Sequence, residues 1–206
     1  MDVSTFPSKG NLINARASLK LSKGGYELLD KKRNILLMEM FSLVKRVEKI
    51  RRELNEHFSE AYKALQRANI SSGISTVAQV GYGVTEDDNV SVKYRSIMGV
   101  ELPIVKEKDS NLEANYSSFR TNFSLDLAYD KFNKTKKLCL ELAEVENSIY
   151  RLADHIKKTQ KRANALKTII IPRYENLVSF MEKYLEEKDR EDFSRLHSIK
   201  NILKNQ

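Results

Sequence analysis

The chain has 206 residues, a formal net charge of +8 at pH 7, 41% hydrophobic and 31% charged residues, and only seven glycines and three prolines. Turn-formers are thus about 5% of the chain against roughly 12% in average proteins, which excludes collagen, a loop-rich disulfide scaffold and a many-turned all-β fold. Cys139 is the single cysteine, so no internal disulfide can form, and the apolar content is too high for a disordered chain.

From Asn11 to Ile70 there is no proline, and a seven-residue frame fits throughout. Its core positions are Leu12, Ala15, Leu19, Ser22, Tyr26, Leu29, Arg33, Leu36, Met40, Leu43, Val47, Ile50, Leu54, His57, Ala61, Ala64 and Ala68, of which fourteen of seventeen are hydrophobic. Steps of four and three alternate, the signature of a left-handed coiled-coil seam. Sixty helical residues predict a rod of roughly 90 Å. Gly24 and Gly25 lie inside this run. They mark either a tolerated weak spot or a place where another backbone comes close or the rod bends. Arg33 interrupts the seam and can snorkel outward, fix register or reach a partner.

The pattern then changes. SSGISTVAQVGYGVTEDDNV holds three of the seven glycines. In VSVKYRSIMGVELPIV, Val90, Val92 and Tyr94 alternate with Ser91, Lys93 and Arg95, and Val100, Leu102 and Ile104 alternate after Gly99. This predicts a β-hairpin with strands near 90–96 and 100–105, and Pro103 confines the second strand to an edge. A lone hairpin is marginal in water, so it should lean on a helix or a partner. Deleting residues 90–105 should leave the rod folded but change coupling or partner binding. Residues 106–122 are polar and read as loop with a short helical turn.

The last segment repeats the seam with Leu138, Leu142, Val145, Ile149, Leu152, Ile156, Thr159, Ala163, Leu166, Ile170, Arg173, Leu177, Phe180 and Tyr184. The helix should start near Ser124, a plausible N-cap, and run to about Leu203. Pro172 removes a backbone donor and crowds the Thr168 carbonyl, which predicts a kink. The expected fold is therefore all-α. It is a long antiparallel two-helix left-handed coiled coil (1–70 and 123–206) joined by a middle segment (71–122) with a β-hairpin at about 90–105, all as one structural unit. If residue 70 faces about residue 130, Arg173 falls near Glu27 and Arg33 near Lys167.

No catalytic constellation is visible. A GxxxxGK[ST] phosphate loop is missing, and His57, His155 and His197 have no ligand spacing. No cofactor is expected. Residues 1–70 carry 14 basic and 8 acidic residues, 71–122 carry 5 and 7, and 123–206 carry 17 and 13. The basic excess suits solvated helix faces. It lacks the basic cluster with interleaved aromatics that single-strand binders use, so direct nucleic-acid binding is not expected. Aliphatic runs of about four residues are far short of the ~20 needed to span a bilayer, and the first twenty residues lack the apolar block of a signal peptide. A soluble protein on the cytoplasmic side of any membrane it serves is expected. So thin a core for 206 residues implies a component of something larger.

The stretch KGGYELLDKKRNIL, with Gly25, Leu28, Leu29, Lys32 and Leu36 in place, resembles the signature of the central-stalk D subunit of V-type and A-type rotary ATPases. The C-terminal half is similar too, most specifically at Arg162-Ala163-Asn164-Ala165-Leu166 and Ile171-Pro172, as is the hairpin segment. Glu27 and Asp30 depart from the basic residues common there, as does Lys9-Gly10 from an arginine-plus-apolar pair. The missing C-terminal extension looks bacterial or archaeal. The resemblance implies a non-catalytic rotor axle, peripheral to the membrane. The tip bearing both termini would enter a hexamer of alternating catalytic and non-catalytic subunits. The other end would bind the small F subunit of the rotor and a funnel-shaped subunit above the membrane ring. The seam would be carried by Leu29, Leu36, Leu43, Ile50, Leu54, Leu142, Ile149, Leu152, Ile156, Leu166 and Ile170. Gly25, Lys32, Arg33, Tyr94, Met98, Arg162, Asn164 and Arg173 would be candidate partner contacts. Three alternatives are weaker: a prefoldin-like chaperone or other coiled-coil scaffold, a nucleic-acid-binding coiled coil, and the gamma-type axle of F-type synthases. The last needs an α/β domain that fifty residues cannot supply.

Overall fold

The computed structural model describes residues 6–83, 90–107 and 122–204. The stretch 108–121, expected as loop, lies outside them. In chain order the elements are α1 (Lys9–Ser72), α2 (Ile74–Gly83), β1 (Val90–Ile97), β2 (Val100–Glu107), α3 (Phe123–Ala165), a π-helical turn (Leu166–Ile170) and α4 (Ile171–Lys204). Gly73 ends α1 with φ +85°, a left-handed conformation that glycine adopts without steric cost. The glycine-bearing segment beyond it forms the short α2, which the sequence pattern did not reveal. The chain divides into two compact units. One is Met1–Asn34 with Lys157–Gln206, and the other is Ile35–Ile156.

In the unit Ile35–Ile156, the core is Leu36, Leu43, Val47 and Ile50 of α1, Val145 and Leu152 of α3, and Val100 and Leu102 of β2. Met40, Leu142, Ile149, Ile156 and Ile97 pack against it. The buried positions of α1 continue as Leu54, Ala61, Ala64 and Ala68. They keep the four-and-three spacing, which returns one stripe to the partner helix. Burying each large aliphatic side chain contributes ~1.5–3 kcal/mol. Thr135, 2% exposed, occupies a seam position on α3, and its hydroxyl donates to the Lys131 carbonyl (2.9 Å), so no polar group is stranded there. Beside the alanine stretch, Tyr62 meets Phe132 edge-on at 5.6 Å. Lys131 bonds Glu60 at 2.6 Å and holds that carboxyl below its ordinary pKa through the hydrogen bond first and its charge second.

The hairpin is antiparallel, pairing Ile97 with Val100 and Val90 with Glu107. Its two-residue turn puts Met98 at φ 51° and Gly99 at φ 75°, the left-handed pair that matches the twist of the flanking strands. Such a turn makes Ile97–Val100 a hydrogen-bonded pair, so the backbone groups of Glu101, Pro103 and Val105 point away from β1. That edge is sealed by α3. Arg151 donates to the Glu101 carbonyl (3.2 Å), Glu144 accepts the Val105 N–H (2.7 Å), and Pro103 between them has no N–H to satisfy. The hairpin is thus built into the core, with Leu102 0% exposed. This packing speaks against the expectation that the helices would stay folded without residues 90–105. Glu144→Ala should leave the Val105 amide unpaired, at ~1–3 kcal/mol. Hydrogen exchange should then quicken at Val105 while remaining slow at Leu43, and equal protection in both proteins would refute the seal.

In the other unit, Lys9–Asp189 (3.7 Å), Arg16–Glu182 (2.7 Å) and Lys23–Glu175 (2.7 Å) form ion pairs one heptad apart on each helix, running in opposite senses. The helices of this unit are therefore antiparallel. Each exposed pair is worth only ~0.2–1 kcal/mol, and Ala15, Val178 and Met181, with Leu12, Leu19 and Leu177 against them, form the apolar contact. The expected frame on α4 ran through Arg173, Leu177, Phe180 and Tyr184. In the structure Val178 and Met181 are buried, while Phe180 and Tyr184 are 56% and 46% exposed and Arg173 is exposed. The cause is the π-helical turn just before Pro172, where the Ile171 N–H bonds back to the Leu166 carbonyl five residues earlier. A π turn admits one extra residue, so every later side chain advances one place around the axis. The turn meets the demands of Pro172 without leaving the pairing, and the Thr168 hydroxyl donates to the Asn164 carbonyl (2.7 Å) beside it. In a Cys139→Ser background, Phe180→Cys should react with a thiol reagent at least about tenfold faster than Met181→Cys, because burial hides a thiol. The reverse order would restore the unshifted frame.

Candidate functional site

The candidate partner contacts fall into three settings. Arg33 is engaged within its own unit. It pairs with Asp30 (2.6 Å) and donates to Gln160 (2.8 Å) and Asn34 (3.1 Å). Gln160 in turn donates to Asn164 (2.7 Å). Two of the proposed contacts, Arg33 and Asn164, thus belong to one polar network across the helix pair, and Arg33 bonds Gln160 where the assumed register put it near Lys167. Lys167 instead lies 5.9 Å from the centre of the Tyr26 ring.

Gly25 is helical, and a Cβ there would meet only Leu166 Cδ1 at 3.9 Å. Lys32 is half-buried, while Arg162 and Arg173 are exposed. Gly24 has open space around it. Neither glycine is required by contacts within the chain, yet each weakens the helix by about 1 kcal/mol relative to alanine. Leu21 (78% exposed) and Leu28 (69%) flank them.

Tyr94 and Met98 lie on the hairpin of the other unit, 58% and 48% exposed. The Arg151 guanidinium is 5.3 Å from the Tyr94 ring centre, a cation–π contact. Beside the turn, Gly99, Glu101, Tyr150, Arg151, Asp154 and His155 line an open hollow of about 320 Å³. Among the described residues, no group of three His, Cys, Asp or Glu is placed to hold a metal ion, and no helix is long and apolar enough to cross a membrane.

The charge is unevenly shared. The unit Met1–Asn34 with Lys157–Gln206 holds 19 basic and 10 acidic residues, net +9, while Ile35–Ile156 holds 17 and 18, net −1. Sequence reading missed the ion-pair ladder and the seal of the β2 edge. The ladder has a signal in the sevenfold spacing of Lys9, Arg16 and Lys23 against that of Glu175, Glu182 and Asp189. The seal joins residues 39 and 50 apart, and no local pattern announces it.

The architecture is two heptad-paired helical units with a hairpin built into one of them, and the sequence that builds it matches known proteins. A family model described as the ATP synthase D subunit matches residues 11–201. The D subunit of the V-type ATP synthase of Thermotoga neapolitana is 38% identical over 198 residues, 96% of this chain and 98% of that one. The D subunit of the A-type ATP synthase of Pyrococcus horikoshii is 36% identical, covering 96% and 94%, and that of Methanosphaera stadtmanae 37%, covering 94% and 92%. The chain belongs to the ATP synthase D-subunit family. Membership makes it a central-stalk component of a V/A-type rotary ATPase and not itself catalytic. In this member of the D-subunit family the hairpin contributes core side chains as well as exposed ones. Leu102→Ala should therefore destabilise the unit Ile35–Ile156 by about 2–5 kcal/mol. Tyr94→Ala, more than half exposed, should cost no more than the ~0.5–1 kcal/mol of its cation–π contact with Arg151, and equal midpoints for both variants would contradict the packing.

Proposed function

We propose that the chain is the turning shaft of its rotary ATPase, and that its two units serve different partners. The basic unit, with both chain ends, enters the hexamer of alternating catalytic and non-catalytic subunits. The unit with the hairpin binds the small F subunit of the rotor and the funnel-shaped subunit above the membrane ring. The shaft works on the cytoplasmic side as a peripheral part of the complex. The observation that carries this reading is the heptad-paired construction, found in a member of the D-subunit family: α1 runs unbroken for 64 residues, and its apolar side chains face a partner helix in each unit.

A shaft must resist twisting, and paired helices whose side chains interlock do so better than a single helix. It must also present different faces to the catalytic interfaces in turn, so that rotation and nucleotide state become coupled free energies. The shifted seam of α4 and the one-sided ion-pair ladder supply such unequal faces. ATP chemistry belongs to the hexamer in this reading.

The test uses the chain reconstituted with the other subunits. A bead attached to it should turn in one direction when ATP is added, and native capture should recover the hexamer and the small F subunit. Leu43→Asp or Ile50→Asp places a charge in the core, at several kcal/mol, and should abolish both helicity and capture. A bead that stays still on an active hexamer would overturn the reading, as would a chain that assembles alone into hexamers and suppresses aggregation of unfolded proteins.

A further inference from the structure

We propose that Gly24 marks a docking notch on the outer face of α1, where the backbone of an enclosing, acidic-rimmed protein surface lies between Leu21 and Leu28. Ala17, Leu21, Gly24 and Leu28 follow one another at helical steps on one stripe of α1. By heptad position this stripe lies away from the apolar contact of Ala15 with Val178 and Met181, and Leu21 and Leu28 lie towards the flank opposite the ladder of Lys9, Arg16 and Lys23. Leu21 and Leu28 are 78% and 69% exposed, and Phe180 of α4, brought to the surface by the π turn, is on the same flank.

Two facts point to what covers the stripe. A Cβ at Gly24 would meet nothing within 4 Å, so the missing side chain serves no contact inside the chain. It leaves α1 low between two tall leucines, and a partner backbone gains most from such a gap. The second fact is charge. This unit carries net +9, with exposed Lys20 and Lys31 on either side of the notch and Glu27 the acidic residue beside it. The fitting partner is a protein surface that is apolar at its centre and acidic at its rim, because complementary rims steer association and reject other partners. The proposal rests on the shaft reading, which supplies an enclosing protein.

The experiment compares the wild-type chain with Gly24→Ala and Gly24→Leu, each titrated against the reconstituted hexamer at two salt concentrations. Both variants should keep their helical circular dichroism, and Gly24→Ala should melt higher than wild type. Gly24→Leu should raise the dissociation constant at least about tenfold, and a Lys20→Glu, Lys31→Glu double variant should lower the salt dependence of binding. If Gly24→Leu folds and binds as tightly as wild type, the notch is a weak spot only and the proposal is overturned while the shaft reading stands. If the wild-type chain itself fails to bind the hexamer, the shaft reading fails and the notch with it. Duplex DNA that competes for binding, is blocked by the lysine reversals and shows a steep salt slope would reassign the stripe to nucleic acid and overturn the proposal.

Discussion

Two helices in water stay together only while their apolar side chains keep returning to the shared face. Along α1 that condition is met by alternating steps of four and three residues, visible as the buried series Leu36, Leu43, Val47, Ile50, Leu54, Ala61, Ala64 and Ala68. On the opposing strand of helix the condition collides with Pro172, which cannot donate a hydrogen bond and presses on the preceding turn. A sharp kink would swing α4 away from α1 and expose Val178 and Met181. The π turn at Leu166–Ile170 takes up one extra residue, and beyond it α4 packs on α1 through Val178 and Met181, one place around the axis from the expected seam.

That choice explains what could be read from the sequence and what could not. The seam of α1 was legible because one set of positions is apolar at the required spacing along the whole helix, whereas the second stripe through Leu21 and Leu28 lapses beyond Met38. The hairpin was legible because alternation on both sides of Gly99 has no helical counterpart. On α4 the local pattern offers two apolar stripes, one through Leu177, Phe180 and Tyr184, the other through Val178 and Met181. The heptad pattern alone does not separate them; the π turn before Pro172 brings the second onto Ala15, Leu12 and Leu19. The seal of the β2 edge by Glu144 and Arg151 is a tertiary matter of the same kind. The short α2 was hidden because its glycines, Gly81 and Gly83, lower helix propensity and it spans only ten residues. Of the candidate contacts, exposure at Tyr94, Met98, Arg162 and Arg173 leaves them open to partners, whereas Arg33 and Asn164 are already held in the polar network.

The two units divide the demands on a central-stalk protein. In Ile35–Ile156 the large aliphatic side chains gather under the hairpin, net charge is near zero, and stability comes from burial. In the unit with both chain ends the core cluster is smaller, three buried residues with three more against it, and the surface is strongly basic. A small core leaves apolar side chains such as Ile13, Leu21 and Leu28 outside. In a free-standing protein such a face favours aggregation. In one component of an assembly it is area left for a neighbour.

Register poses a separate problem, which the ion-pair ladder does not solve. All three of its basic residues are on α1 and all three acidic residues on α4, so a slide of one heptad would re-form two of the three pairs and leave the apolar contacts of similar character. The network around Arg33 has no such degeneracy. A slide by seven residues would part its guanidinium from Gln160, and through it from Asn164, leaving a half-buried charge without its cross-helix partner. Polar groups at a seam fix register at some cost in stability. For a part that passes torque between neighbours, a helix pair free to slip would lose rotation as internal sliding. An arginine in an apolar seam, unfavourable by burial alone, is on this argument the feature that makes the pair a single mechanical piece.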